Sequence, residues 1–343
     1  MQKVPPGGKA DRNPHRWSLA ALFAALGTAF GVLPAGAEVR CGDTIGPDQD
    51  VVLQAALVCD DVETALVVVG PTTLDLNGFS VQCADRNEDG RAPSAGIAVR
   101  GVGAQVRNGL VSGCGVGVEV AGSGNHTVRD VPVLFAGSDG IRVESDRNRI
   151  TNTFALFGGE SGYAIEGRLN VLSSNGASGN PLGFVVGDRN VLERNLAIDS
   201  ELIGFVVAGT GSTLVENRTL RGPIGFAVLG QGNRLVGNRG ENAGTGVFLD
   251  ERAAGNLLVG NAMSGSLGTG FAVAGDRNRL VRSRAERNGA NGIQLVATAS
   301  GTVITASVSQ ENGVADLVDE TSGCGTNRWR RNTFGSSNDR CIE

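Results

Sequence analysis

Apolar residues recur along this chain in short alternating runs, each introduced by a glycine. A glycine followed by apolar–x–apolar stands at Gly96, Gly117, Gly140, Gly162, Gly183, Gly204, Gly225, Gly246, Gly270 and Gly292, at intervals of 21 to 24 residues. The paired apolar residues, among them Ile97/Val99, Phe184/Val186, Phe205/Val207, Phe226/Val228 and Ile293/Leu295, are two apart, so each pair faces one side of a strand. Later in most units comes N-x-[IL]-x-x-N, seen as Asn170–Asn175, Asn190–Asn195, Asn233–Asn238 and Asn256–Asn261, with variants at Ser212–Asn217 and Asn278–Ser283. Neither element has a helical period. Runs such as Gly183-Phe184-Val185-Val186-Gly187, followed by Asp188-Arg189-Asn190, predict strand and then turn.

A unit of about 22 residues with three short strands is one coil of a parallel β-solenoid, which buries its inward side chains on its neighbours and cannot fold alone. The expected fold is therefore all-β: a right-handed, single-stranded parallel β-helix of about eleven coils, near 50 Å long at roughly 4.8 Å per coil. Inward apolar positions would stack into aliphatic and phenylalanine columns. Asn190, Asn233, Asn256 and Asn278 share one corner, where side-chain amides can bond from coil to coil as a ladder. A leucine-rich repeat would need a denser leucine frame, and a propeller a period of 40 or more.

Residues 1–37 read as a secretory signal, with Lys3, Lys9, Arg12 and Arg16 before an apolar run from Trp17 to Leu33 and Ala35-Gly36-Ala37 at its end. The remainder divides into an N-terminal cap with the first coils (38–95), the repeats (96–314) and a C-terminal coil and cap (315–343). The expected location is secreted or periplasmic, with no membrane association after cleavage. The formal net charge of −5 excludes nucleic acid as a partner. Cleavage would remove a net +3, leaving −8 and no lysine. An apolar share of 41% excludes a disordered chain. All six cysteines follow residue 37, and an even number in an exported chain favours disulfides. Cys41 with Cys59 and Cys324 with Cys341 are close in sequence and would clip the two ends, which leaves Cys83 with Cys114 by elimination.

The glycine–apolar units followed by N-x-[IL]-x-x-N resemble the repeats of pectate-lyase-like proteins and of the carbohydrate-binding and sugar-hydrolase superfamily, including NosD-like periplasmic proteins. The likeness covers roughly residues 65–335. The opening Cys41-Gly42-Asp43-Thr44-Ile45 with Leu74-Asp75-Leu76-Asn77-Gly78, and the closing Asn327 to Phe334 before Cys341, resemble the ends of an exported β-helix group. This resemblance implies a right-handed helix and a polysaccharide partner, without dictating an activity.

Lyases of this fold place carboxylates and a basic residue along one sheet. The outward positions of the first strand are instead Ala98, Glu119, Arg142, Ala164, Val185, Val206, Ala227, Phe248, Ala272 and Gln294, apolar through six consecutive coils. Such a flank suits self-association better than catalysis. The third strand is more polar: Arg218, Arg239 and Arg284 follow the second asparagine as candidate substrate-binding residues. Glu241 and Glu286, two residues further on, are the candidate catalytic pair for a hydrolase. Asp85, Asn87 and Asp89 sit in D-x-N-x-D-G, the first half of a calcium loop, although Gly96 stands where the bidentate glutamate belongs. Calcium is the one cofactor this suggests. The NosD resemblance raises copper, but His126 and Met263 are the sole imidazole and thioether after residue 37, which makes a copper site unexpected. Of the aromatics whose chemistry suits stacking on sugars, Tyr163 falls in an inward slot and Trp329 is expected to close the last coil. The leading function is non-catalytic binding of polysaccharide or cell-surface partners. The alternatives are a polysaccharide hydrolase or lyase with a nonstandard carboxylate site, and an assembly module joined through the apolar flank.

Overall fold

A computed structural model describes residues 38–84 and 92–343. The signal expected over residues 1–37 and the calcium loop of Asp85, Asn87 and Asp89 lie outside the described residues. Over the described residues the chain winds into thirteen coils, and their strands hydrogen-bond into three parallel sheets of thirteen strands each. The winding is right-handed, as connections between parallel twisted strands are. Thirteen coils correct the expected eleven. The coils at Asp43–Ile45 and Thr64–Gly70 in sheet 1, and the last at Ala315–Asp319, lack the glycine-led signature from which coils are counted in the sequence.

The glycines of the repeat lie in sheet 1, where coils approach too closely for a side chain. A Cβ on Gly204 would stand 2.7 Å from the Gly225 carbonyl oxygen and 2.7 Å from Thr219 Oγ1, and the same pattern recurs at Gly183 and Gly225. Behind them the paired apolar residues point inward and are fully buried. Tyr163, Phe184, Phe205 and Phe226 form a column of parallel rings with centroids 4.5, 4.7 and 4.9 Å apart. Sheet 2 contributes a leucine column, Leu172, Leu192, Leu214, Leu235, Leu258 and Leu280. Sheet 3 answers with small residues, Ala155, Ala177, Ala197, Thr219 and Gly240, in register. Large side chains on two walls and small ones on the third fill the lumen without overpacking. Where Gly240 leaves a gap, the neighbouring Met263 occupies it.

Asparagine ladders run along two corners. At the first, each amide oxygen accepts the backbone N–H one coil earlier, as Asn170 does from Asn148, Asn190 from Asn170 and Asn256 from Asn233. The second, formed by the closing asparagine of the repeat, runs through Asn175, Asn195, Asn217, Asn238 and Asn261. The three expected disulfides are present: Cys41–Cys59, Cys83–Cys114 and Cys324–Cys341. Among the described residues no helix is long and apolar enough to cross a membrane.

The last coil is closed by buried carboxylates. Trp329 donates its indole N–H to Asp319 at 2.9 Å. Asp316 accepts from the backbone N–H groups of Gly335 and Ser336 at 2.8 and 3.0 Å and from the Asn312 amide at 2.8 Å. Burial pushes the Asp316 carboxyl upward, but the donors outweigh it and hold the pKa below its ordinary value. A folded pKa below the unfolded one stabilises the coil above the unfolded value, about 3.9, and that stabilisation is lost as the pH falls through the folded pKa. Melting temperature is therefore expected to drop on acidification below about pH 4, and Asp316→Asn to flatten that part of the profile.

Candidate functional site

The second corner, between sheets 2 and 3, holds one residue per coil in the left-handed region: Ser174, Arg194, Glu216, Gly237, Gly260 and Arg282 in order. Two adjacent glycines, Gly237 and Gly260, remove two side chains from this row. Beside them on sheet 3 the outward row reads Arg218, Arg239, Ala262, Arg284, aligned coil on coil. The missing side chains open a groove of about 770 Å³ lined by Arg194, Glu216, Arg218, Arg239, Glu241, Ser264, Arg282 and Arg284.

Five arginines against two glutamates make this groove positive on an acidic protein. Arg218 is bonded to Glu241 at 2.8 Å and Arg284 to Glu286 at 2.7 Å. Among the described residues, Arg239 and Arg282 have no carboxylate within ion-pair distance. The unneutralised guanidiniums, with fork-shaped donor sets, suit a carboxylate, sulfate or phosphate group. The exposed pairs contribute at most about 1 kcal/mol each and can be exchanged for a ligand's anion at small cost.

The residues singled out from the sequence divide here. Arg218, Arg239, Arg284 and Glu241 come together in the groove. Glu286 stands two coils from Glu241 with Ser264 between, outside the lining. Arg194 and Arg282 are the lining residues missed from the sequence, and the signal that finds them is their shared place just before the closing residue of the N-x-[IL]-x-x-N element, in Asn190–Asn195 and Asn278–Ser283.

The outward stripe of sheet 1 has the expected register, from Ala164 through Val185, Val206, Ala227 and Phe248 to Ala272. Val206 and Ala227 are nonetheless only 7% and 2% exposed, sunk between neighbouring rows. Tyr163 is buried and bonded to Thr153, and Trp329 closes the last coil. Three phenylalanines of sheet 3 are exposed, Phe154 at the first position of its strand and Phe135 and Phe157 just past the ends of theirs.

His126 is the first rung of an asparagine ladder. Its Nδ1 accepts the Ala104 N–H at 3.1 Å, and its Nε2 lies 2.9 Å from the Ala121 carbonyl oxygen, to which it donates. Burial holds its pKa below the ordinary value and keeps the ring neutral. With both ring nitrogens engaged and Met263 sealed in the core, the donors fit no copper ion. No cluster of three or more His, Cys, Asp or Glu side chains suited to a metal is found among the described residues.

The family model described as periplasmic copper-binding protein (NosD) matches residues 76–266. No curated protein sequence matches the chain. Among solved structures it is similar to the periplasmic alginate epimerase AlgG, at 15% identity and TM-score 0.56, covering 85% of this chain and 77% of that one. It is similar to pre-mature bacteriophage phi29 gene product 12 at 15% identity and TM-score 0.56, covering 88% of this chain and 50% of that one. A tailspike protein mutant of E. coli bacteriophage HK620, in complex with a hexasaccharide, is similar at 10% identity and TM-score 0.51, covering 80% and 68%. At such identities the likeness is one of fold.

Proposed function

The chain belongs to the NosD family of periplasmic copper-binding proteins, and from that premise we propose that it works outside the cytoplasm as a β-helix that binds polysaccharide through its arginine groove, without catalysis of its own. The carrying observation is that Arg239 and Arg282 lack carboxylate partners in a groove that two corner glycines hold open. Three disulfides suit an oxidising compartment. The alginate epimerase and the hexasaccharide-bound tailspike, both similar in fold, are saccharide proteins by description. Copper has no part in this reading, since the His126 and Met263 donors are already engaged in the fold.

Hydrolysis by Glu241 and Glu286 draws on their separation of two coils, roughly 10 Å, near the upper limit for an inverting pair. Against it, each carboxylate is already bonded by an arginine and Glu286 stands outside the groove. Assembly through the sheet 1 flank would draw on a stripe that is largely covered by its own neighbours.

The protein is expected to bind a polyuronate such as alginate and not a neutral glucan, with affinity that falls as salt rises. Arg239→Glu should weaken that binding at least tenfold, the scale expected when one charge-assisted hydrogen bond to the ligand is removed. Equal binding of neutral and acidic polymers, or release of new reducing ends or unsaturated uronates on incubation, would overturn the reading.

A further inference from the structure

Two of the exposed phenylalanines occupy backbone positions that cost energy. Phe135 and Phe157 have φ of 53° and 57°, in the left-handed region, where a bulky side chain is an outlier costing on the order of 1 kcal/mol or more. Burial does not repay this, because the two rings are 61% and 55% exposed. They stack on each other with centroids 5.6 Å apart and planes inclined by 15°.

The rings are seated on glycines of the following coil. A Cβ on Gly179 would lie 2.6 Å from the Phe157 ring, and a Cβ on Gly176 would lie 2.6 Å from the Phe154 ring. Any side chain at those glycines would displace the aromatics, so the bare backbone lets the rings lie along the helix. Phe154 also opens the outward row that leads into the groove. Phe154 pairs with Gly176, Gly176 with Leu196, Leu196 with Arg218 and Arg218 with Arg239. Three coils, roughly 14 Å, separate Phe154 from Arg218 along one unbroken face.

We infer that Phe135, Phe154 and Phe157 form a second subsite for the same ligand, a shelf on which sugar rings of an acidic polysaccharide stack while its carboxylates reach the arginines. The inference rests on the polysaccharide reading of the groove and adds to it a direction and a length. The ligand chain runs obliquely over sheet 3, from Phe135 just past the end of one strand to Arg284 at the start of another, seven coils or roughly 34 Å along the axis. The aromatic faces supply C–H contacts to the apolar side of a sugar ring, and the guanidiniums fix its charged edge.

The test uses the full chain with oligouronates of two lengths, a trisaccharide that the groove alone can hold and a dodecasaccharide that covers the whole face. The double variant Phe135→Asn/Phe157→Asn suits it, because asparagine tolerates the left-handed backbone. This variant should weaken dodecasaccharide binding about tenfold, leave trisaccharide binding unchanged, and keep or raise the melting temperature. Unchanged affinity for the dodecasaccharide overturns the shelf while the groove stands, provided Arg239→Glu still weakens both ligands. A fall in melting temperature with no change in affinity would make the rings structural. A dimer in light scattering that the double variant dissociates, again without change in affinity, would assign the shelf to a second copy of the chain. Failure of the native protein to bind either length would remove both readings.

Discussion

Phe205→Ala is expected to destabilise the protein by about 4 kcal/mol, within the range for emptying an aromatic site. Its ring is fully buried and stacked on Phe184 and Phe226 at 4.7 and 4.9 Å. The cost stays high because the site cannot collapse. Coil spacing is set by backbone hydrogen bonds in three sheets, so the rings above and below cannot close over the hole. Phe205→Leu retains most of the volume and should cost about 1.5 kcal/mol. Denaturant midpoints at constant slope measure both, and a difference under about 1 kcal/mol between the two variants would show that the column yields. Because the rings touch, Phe205→Ala and Phe226→Ala should not add.

Asn238→Ala should cost about 3 kcal/mol or more, although it removes almost no apolar surface. The Asn238 side-chain oxygen accepts from the Asn217 N–H at 2.8 Å and from the Asn217 side-chain amide at 3.0 Å. Its amide donates to the Leu214 carbonyl oxygen at 2.9 Å. Alanine takes from the buried Asn217 N–H and Leu214 carbonyl oxygen the partner that Asn238 supplies, while the Asn217 side-chain amide keeps only the Leu192 carbonyl oxygen at 2.9 Å. Serine should be milder, since Ser212 already serves as a rung at the first corner, accepting from Asn190 and donating to Gly187. Melting curves together with amide exchange at Asn217, whose N–H the Asn238 oxygen accepts, give the measurement. If alanine and serine prove equally mild, the ladder follows the fold without supporting it.

These effects are legible to different degrees along the chain. The columns are readable because the spacing of apolar pairs directly reports which side of a strand faces inward, and Tyr163 and Trp329 fall where that spacing puts them. One asparagine corner is recognisable as a ladder, and the second emerges only when the closing asparagines are seen to stack. The first two coils carry no such mark, because their strands in sheets 2 and 3 are Val51–Val52 and Leu57–Cys59, then Thr73–Asp75 and Ser80–Cys83, in place of the repeat signature. The exposed phenylalanines are hidden for a related reason. Phe135 follows Val133-Leu134 and Phe157 follows Ala155-Leu156, so each reads as one more apolar strand residue. A left-handed turn after the strand rotates each ring outward, and that turn usually carries glycine or asparagine.

Composition and period alone determined that this chain stacks its coils, faces its paired aliphatics inward and ties both ends with disulfides, because each of those properties depends on residues near one another in the sequence. The groove and the aromatic shelf were decided by the tertiary structure. Both are made of side chains one coil apart, separated by 21 to 23 residues, and the interval varies from unit to unit. Gly237, Gly260 and Arg282 are unremarkable as letters. The repeat stacks them at one corner, since each stands just before its closing residue, but the opening that they share with the Arg218 row exists only where sheets 2 and 3 meet in the folded chain.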